Sequence, residues 1–365
     1  MKSIITIYCL LLFSQLTLAQ NHELWTSFWN EETNLMGFKS PEGKIMIQPQ
    51  FMGFTVARSF DKIIAVMEEN NGNYDTYYLT KAGKKIGYDS LHIIDNSADC
   101  ESEGFIRFRD EKTDQVGMFD KNGTIVIPAI YNALSRTHNG LIWVLKGAEK
   151  KYWDKHNQSG CNHYSWQGGQ DLLMDIEHNI LVENFKYDKA LNFFSIKKTK
   201  DIHSDAIRQS FVAKKGGYYS FVVFEKEFKQ WLTTELLEDL TVEKLISASY
   251  NIITWQSKNG WKKTSKNKVI TDNFTTLKNG LLEILNPKTD YFISTDGLNP
   301  FMYECEAFKK YYNNCGESKD WIYPTMSVII NHKNDTDFTQ NTYQFLRTDN
   351  GYKLISLDIR DHKMK

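Results

Sequence analysis

The chain has 365 residues and a net charge of −1, with 44 basic side chains set against 45 acidic ones. That balance argues against a nucleic-acid partner, which needs clustered Lys and Arg, while 41% hydrophobic and 14% aromatic content is ample for a packed core. A single core stops growing at about 250 to 300 residues, so two domains or one long repeat array are expected.

Residues 1–19 hold Lys2, an apolar run from Ile4 to Phe13, a polar break at Ser14 and Gln15, and then Thr17-Leu18-Ala19. This pattern predicts a secretory signal peptide, cleavage after Ala19 and an exported product, periplasmic or extracellular. The apolar run is well short of the roughly 20 residues a spanning helix needs, and no later stretch is long enough, so no transmembrane segment is expected. Export would leave Cys100, Cys161, Cys305 and Cys315 in an oxidising compartment, with Cys305 and Cys315 the nearest pair and the candidate disulfide. Trp25 and Trp29 follow the leader and are expected to cap the open face of what comes next.

Gly43, Gly83 and Gly123 then recur forty residues apart. Around them, Gly37-Phe38-Lys39-Ser40-Pro41-Glu42-Gly43-Lys44-Ile45-Met46-Ile47-Gln48-Pro49-Gln50-Phe51 aligns without gaps to residues 117–131, from Gly117-Met118-Phe119 to Ala129-Ile130-Tyr131, and residues 78–86 keep the register. Each copy predicts a β-hairpin: a short apolar strand, a polar turn whose glycine tolerates positive φ, an Ile-rich strand, and a proline, Pro49 or Pro128, expected to end the pairing. A third strand is expected at Ile63–Val66, Gly104–Phe108 and Gly140–Val144. One such unit cannot bury its apolar face alone, so neighbours must stack.

At these residues the chain resembles the WG-repeat family, whose units carry a Trp-Gly or Tyr-Gly strand start, a glycine turn, a Val/Ile strand, then Pro and Tyr. The likeness covers roughly residues 30 to 145. It departs from the pattern at Met36 and Val116, which replace the aromatic, and at Tyr77, which replaces the glycine itself. The resemblance implies an all-β array, often on exported proteins, with no common chemistry.

The fold class expected is therefore mainly β: a tandem antiparallel hairpin array over 20–200, followed by a mixed α+β or degenerate-repeat half over 201–365. Within the array, Leu173–Val182 predicts another hairpin with Asn179 in the turn. In the second half, Gly260–Lys263 leading through Val269-Ile270 to Gly280–Ile284 reads as a shortened copy, and Leu346–Ile355 as a further turn and strand. Between them Phe224, Phe228, Trp231, Leu232, Leu236 and Leu240 recur at helical spacing. A second helix is predicted from Asn299 as cap and Pro300 in the first turn, through Phe301, Cys305, Phe308 and Tyr312 on one face, to Gly316. Ile355, Leu357 and Ile359 alternate with polar neighbours, which suits a sheet with one buried face. Helices on a curved sheet, as in a cone of the nuclear-transport-factor or ketosteroid-isomerase kind, would accommodate these elements by analogy.

No His-Glu-x-x-His, Gly-x-Ser-x-Gly, phosphate-loop or Cys-x-x-Cys motif occurs, and no cofactor is expected. Asp154, His156, Cys161 and His163 are weak metal-ligand candidates in what otherwise has the composition of a solvated insertion. Trp143, Trp153, Tyr164 and Trp166 gather in the same stretch, where rings on a β-scaffold can stack on sugars or on partner aromatics. The reading is a non-catalytic exported binding or structural module with protein or glycan partners at the cell envelope. The alternative is a hydrolase of envelope polymer or glycan, with Asp154 and Glu177 as its carboxylates.

Overall fold

The computed structural model describes residues 23–153, 163–334, 337–359 and 364; the expected signal peptide lies outside them. The chain is mainly β, built from antiparallel hairpin sheets, with no closed barrel among the described residues. Its turns show why glycine recurs. In Ser40–Lys44, Thr80–Lys84 and Asp120–Thr124 the first residue donates its N–H to the fifth carbonyl, and the glycine in fourth place donates back to the first, at 2.8 to 3.0 Å. That closure requires φ of +86°, +84° and +71° at Gly43, Gly83 and Gly123, a region a Cβ penalises. The opening side chain also accepts from the turn backbone, as Asp120 Oδ1 does from Thr124 N at 2.8 Å.

The same closure recurs at Asp175–Asn179 and, unforeseen in the sequence, at Ala213–Gly217. In the former Asn179 takes the fifth place of the turn, and the left-handed residue is His178, at φ +66°. The ring of His178 is held by a 2.5 Å hydrogen bond between its Nε2 and the Tyr131 hydroxyl of the preceding unit, which compensates for the strained backbone.

The other glycine of the motif answers to a close approach. Strand Leu35–Lys39 pairs with Ile45–Phe51 through Met36↔Phe51 and Phe38↔Ile47, so the partner strand bulges opposite Gly37; strand Val116–Asp120 meets Ile125–Tyr131 in the same way opposite Gly117. A Cβ on Gly37 would lie 2.5 Å from the Ile47 carbonyl oxygen, and one on Gly117 2.7 Å from that of Ile127. Pro49 and Pro128 sit inside these strands. They do not end the pairing as expected, because at a bulge the ladder needs no amide hydrogen from them. Where Tyr77 replaces the glycine, the following strand shrinks to Lys85–Ile86.

Alternate residues of one strand feed two successive cores. Ile64 and Val66 pack with Phe38, Phe51 and Tyr77, whereas Ile63 and Ala65 pack with Tyr78, Phe108 and Phe119. Ile142 and Val144 join Met118, Ile127 and Leu172, while Leu141 joins Leu173, Phe185 and Phe221. Each strand is thus covered on both faces by a neighbouring unit. At the array's start Trp25 packs edge-on against Phe60, with ring centroids 5.5 Å apart, while Trp29 stays half exposed.

After the array comes a six-stranded sheet in the order Gly260–Ser265, Ser249–Ser257, Gly351–Ile359, Asp337–Thr348, Thr325–Asn334, Tyr291–Asp296. All its pairs are antiparallel except Ser249–Ser257 with Gly351–Ile359. Helix Phe224–Gln230, running into a π-helical turn Trp231–Leu236, covers one face together with Val242–Ser247 and Lys266–Leu282, where Phe228, Leu232, Ile270 and Leu277 meet Val328, Phe345 and Leu357. The expected shortened repeat at 260–284 is instead a strand followed by helix Lys266–Leu282, with Val269 and Ile270 on its buried face. The sheet is also buried on both faces. A bulge at Ile355 inverts the alternation, so Leu354 and Leu357 face the helices while Ile355 joins Leu298, Tyr303, Phe308 and Tyr311 on the reverse side.

Of those reverse-side residues, Tyr303, Phe308 and Tyr311 belong to the segment predicted as a capped helix from Asn299. Asn299 Oδ1 does accept from Phe301 N at 2.9 Å, but only a 3₁₀ stretch, Glu306–Tyr311, follows. The stripe does not form: Phe301 is 93% exposed. The expected Cys305–Cys315 bridge is absent as well. Cys315 is bonded to Cys100, 215 residues away, and Cys305 is a free, exposed thiol.

If the bulge is why the repeat needs glycine, Gly117→Ala should destabilise the chain by about 1 to 3 kcal/mol through overpacking. Gly43→Ala, where nothing lies within 4 Å of the new Cβ, should cost about 1 kcal/mol from its φ alone. Chemical denaturation of both variants checks this, and a Gly117→Ala variant no weaker than Gly43→Ala would refute it.

Candidate binding cleft

The hairpin Ile93–Ala98 turns through Asp95 and Asn96, both at positive φ. It returns the chain so that Asp99 N donates to His92 O at 2.9 Å. Asp99 is thereby set beside strand Phe105–Arg109. Its buried carboxylate accepts from Arg107 N at 3.0 Å, Arg107 Nε at 2.9 Å, Arg107 Nη2 at 2.5 Å and Arg136 Nε at 2.9 Å. Arg107 Nη1 is satisfied by Leu134 O at 2.7 Å, and Arg136 reaches on to the carboxylate of Glu317.

Glu317 sits in the loop that the disulfide holds. Asn314 O accepts from Arg58 N and Ser59 N at 2.8 and 2.9 Å, and Asn314 Nδ2 donates to Glu101 at 3.0 Å. The segment Asn313–Trp321 is so fastened to the repeats at several points, and between it and the array lies a cleft of about 880 Å³.

Aromatic rings line the cleft. Trp143 stacks on Tyr187 at 5.1 Å and 27°, His138 on Trp321 at 4.4 Å and 19°. Tyr164 and Trp166 meet edge-on at 5.2 Å, with Lys150 Nζ 4.1 Å from the Tyr164 ring centroid. Trp143 Nε1 donates to Asp171 at 2.8 Å, which fixes its plane. Of the four rings singled out in the sequence, Trp143, Tyr164 and Trp166 line this cleft. They do so because strand Glu149–Tyr152 pairs with Tyr164–Gln167 and folds the insertion back. Trp153 lies apart, 73% exposed and stacked on His163.

Asp154, His156 and Cys161 lie outside the described residues, so the metal-ligand grouping reduces there to His163. Glu177 is exposed in the Asp175–Asn179 turn and does not line the cleft. Arg107, Arg136, Asp99, Tyr187 and Trp321 were not singled out. The one visible signal was Arg107 standing between the apolar Ile106 and Phe108 within a strand.

Three arginines, Arg107, Arg109 and Arg136, face five carboxylates in the cleft, Asp95, Asp99, Asp296, Glu317 and Asp320. Burial alone would raise the Asp99 carboxyl, but Arg107 and Arg136 outweigh it and hold the group below the usual range. Burial raises Asp320. His92 and His138 are pushed down to about 3, first by burial and then by the same arginines. Both rings are therefore neutral, and Nδ1 of each is buried without a protein partner. The surface is aromatic and rich in hydrogen-bond acceptors, and its cations are already paired.

Comparison with known proteins bears on the array. Residues 117–152 match the family model described as WG containing repeat. No curated protein and no solved structure matches the chain.

Asp99→Asn leaves two buried guanidiniums short of a counter-charge and should destabilise the chain by about 3 to 5 kcal/mol in denaturant titrations; an unchanged midpoint would contradict the pairing. The histidines add a pH dependence. Their folded pKa lies below the value near 6.5 of the unfolded chain, so their stabilisation is complete above that value and is lost as the pH falls toward 3. Stability should drop between pH 7.5 and 5 by on the order of 2 kcal/mol per histidine. His138→Phe, which keeps a ring against Trp321, should flatten the slope, and a flat profile in the parent chain would rule the idea out.

Proposed function

We propose that this chain, which carries WG repeats, is a non-catalytic exported binding module whose cleft takes a neutral, hydroxyl-rich glycan at the cell envelope. The observation that carries the reading is the pairing of rings with acceptors. Stacked Trp143 and Tyr187, Trp166, and Trp321 offer flat apolar faces to sugar rings. Carboxylates of the same lining that pair with no arginine, Asp95, Asp296 and Asp320, accept from hydroxyls. A polyanion finds little there, because Asp99 and Glu317 already occupy Arg107 and Arg136.

Export is supported by the charged, apolar and small-residue pattern over 1–19. The Cys100–Cys315 bridge supports it independently, since such bonds persist in oxidising compartments. A protein partner is the less favoured ligand, because the most exposed large ring of the insertion, Trp153, lies outside the cleft.

Calorimetry with neutral oligosaccharides of hexose and N-acetylhexosamine checks the proposal. Trp166→Ala and Trp321→Ala should each weaken binding about tenfold with near-ultraviolet circular dichroism otherwise retained, and Trp153→Ala should leave it unchanged. Equal affinity in all three variants, or a preference for a charged polymer, would sink the glycan reading.

A further inference from the structure

A second cavity, of about 600 Å³, opens on the reverse face of the six-stranded sheet, between the start of strand Ser249–Ser257 and the 3₁₀ stretch Glu306–Tyr311. Its charged lining is of one sign: Lys263, Lys266, Lys310 and Lys353, with no carboxylate. Lys310 is engaged outside the cavity by Asp349, at 2.9 Å. The other three donate only to main-chain carbonyls, Lys263 to Met302 O at 2.8 Å, Lys266 to Ser249 O at 3.3 Å and Lys353 to Ser247 O at 2.7 Å. An ammonium has three donors, so each of these keeps two to offer. Tyr250 and Phe308, stacked at 4.5 Å and 24°, supply an aromatic wall.

Capping the C-terminal end of helix Val242–Ser247 accounts for Lys353, but not for Lys263, which bonds a carbonyl of a different element. Burial, then the neighbouring Lys266, holds Lys353 below the usual lysine range, and a bound anion would relieve that repulsion. We propose that this cavity binds a small phosphate or sulfate ester carried on a ring-shaped body, the oxyanion among Lys263, Lys266 and Lys353 and the ring against Tyr250 and Phe308. The volume is that of a small-molecule site, and lysines serve such oxyanions as point charges.

Calorimetry on the exported chain at low salt, with glucose 6-phosphate, glucose 6-sulfate, inorganic phosphate and glucose, tests it. Both esters should bind, inorganic phosphate at least tenfold more weakly, and glucose not at all. Lys263→Gln combined with Lys353→Gln should weaken the esters tenfold or more and reduce the salt dependence, while Lys310→Gln should have a smaller effect. Cys305, exposed on the rim, gives a second readout. Peptide mapping should show that it reacts faster with iodoacetate than with iodoacetamide relative to a free thiol, and that the double variant loses the excess. No ester binding, equal affinity for inorganic phosphate, an undiminished double variant, or retention on phosphatidylglycerol vesicles in place of ester binding would overturn the proposal.

Discussion

A carboxylate buried as deeply as that of Asp99 is stable only with its counter-charges in place, and Arg107 and Arg136 supply them from two different repeat elements. Removing such a group from water costs several kcal/mol, which attraction offsets only when the geometry is good and the remaining donors are used. Here they are used. Arg107 spends a third nitrogen on Leu134 O, and Arg136, with charge left over, draws in Glu317 from 181 residues along the chain. The Cys100–Cys315 bond sits next to both ends of this network and closes a loop of comparable length, which limits the freedom of the unfolded chain. Together they fix the distance between the repeats and the C-terminal loop, and so the width of the cleft.

The repeats themselves depend on backbone more than on side-chain identity. A turn that needs positive φ and a bulge that needs an absent Cβ are both met by glycine, whereas the apolar positions accept any residue of suitable size: Met36 and Val116 fill one such place. This explains how the motif survives loose sequence constraint. It also explains the middle copy. With Tyr77 in place of glycine, no long bulged strand can cross, and the ring turns to other work, its hydroxyl donating to Glu68 at 2.6 Å while its body fills the first core.

Much of this was legible in the sequence and some could not have been. The hairpins were, because turn chemistry is local; so was the closeness of Trp143, Tyr164 and Trp166, because they stand near one another along the chain, and the strand Tyr164–Gln167 returns beside Glu149–Tyr152. The bulge was not, since Gly37 and Gly117 adopt ordinary φ and their need arises only from the strand opposite. Helix Lys266–Leu282 was hidden by its composition: Val269, Ile270, Leu277 and Leu281 are diluted by Thr, Asn and Lys, and the Gly260-Trp261 turn before it mimics a repeat start. The segment after Asn299 erred in the opposite direction. Its cap and stripe are real local signals, but Tyr303 and Phe308 are claimed by the reverse face of the sheet and Cys315 by the array, and tertiary ties outweigh helix propensity. The ion network lies beyond any local pattern, because nothing near Arg136 names Glu317.

That same segment gives the second half its functional character. Met302, Phe308 and Tyr311 close the lysine-lined cavity, and Glu317, Ser318 and Trp321 form the far wall of the aromatic cleft. A stretch of about twenty residues with little regular structure could not hold two walls by its own hydrogen bonds. It is held because one end is buried against the sheet through Tyr303 and Phe308, and the other is pinned by Cys315, Asn314 and Glu317 to the repeats. The two sites differ in electrostatic character for the same reason. Where the segment meets the array its acids are matched by arginines, leaving rings and acceptors; where it meets the sheet's lysines it brings carbonyls, aromatic faces and a further lysine, Lys310, but no carboxylate into the lining, leaving positive charge unspent.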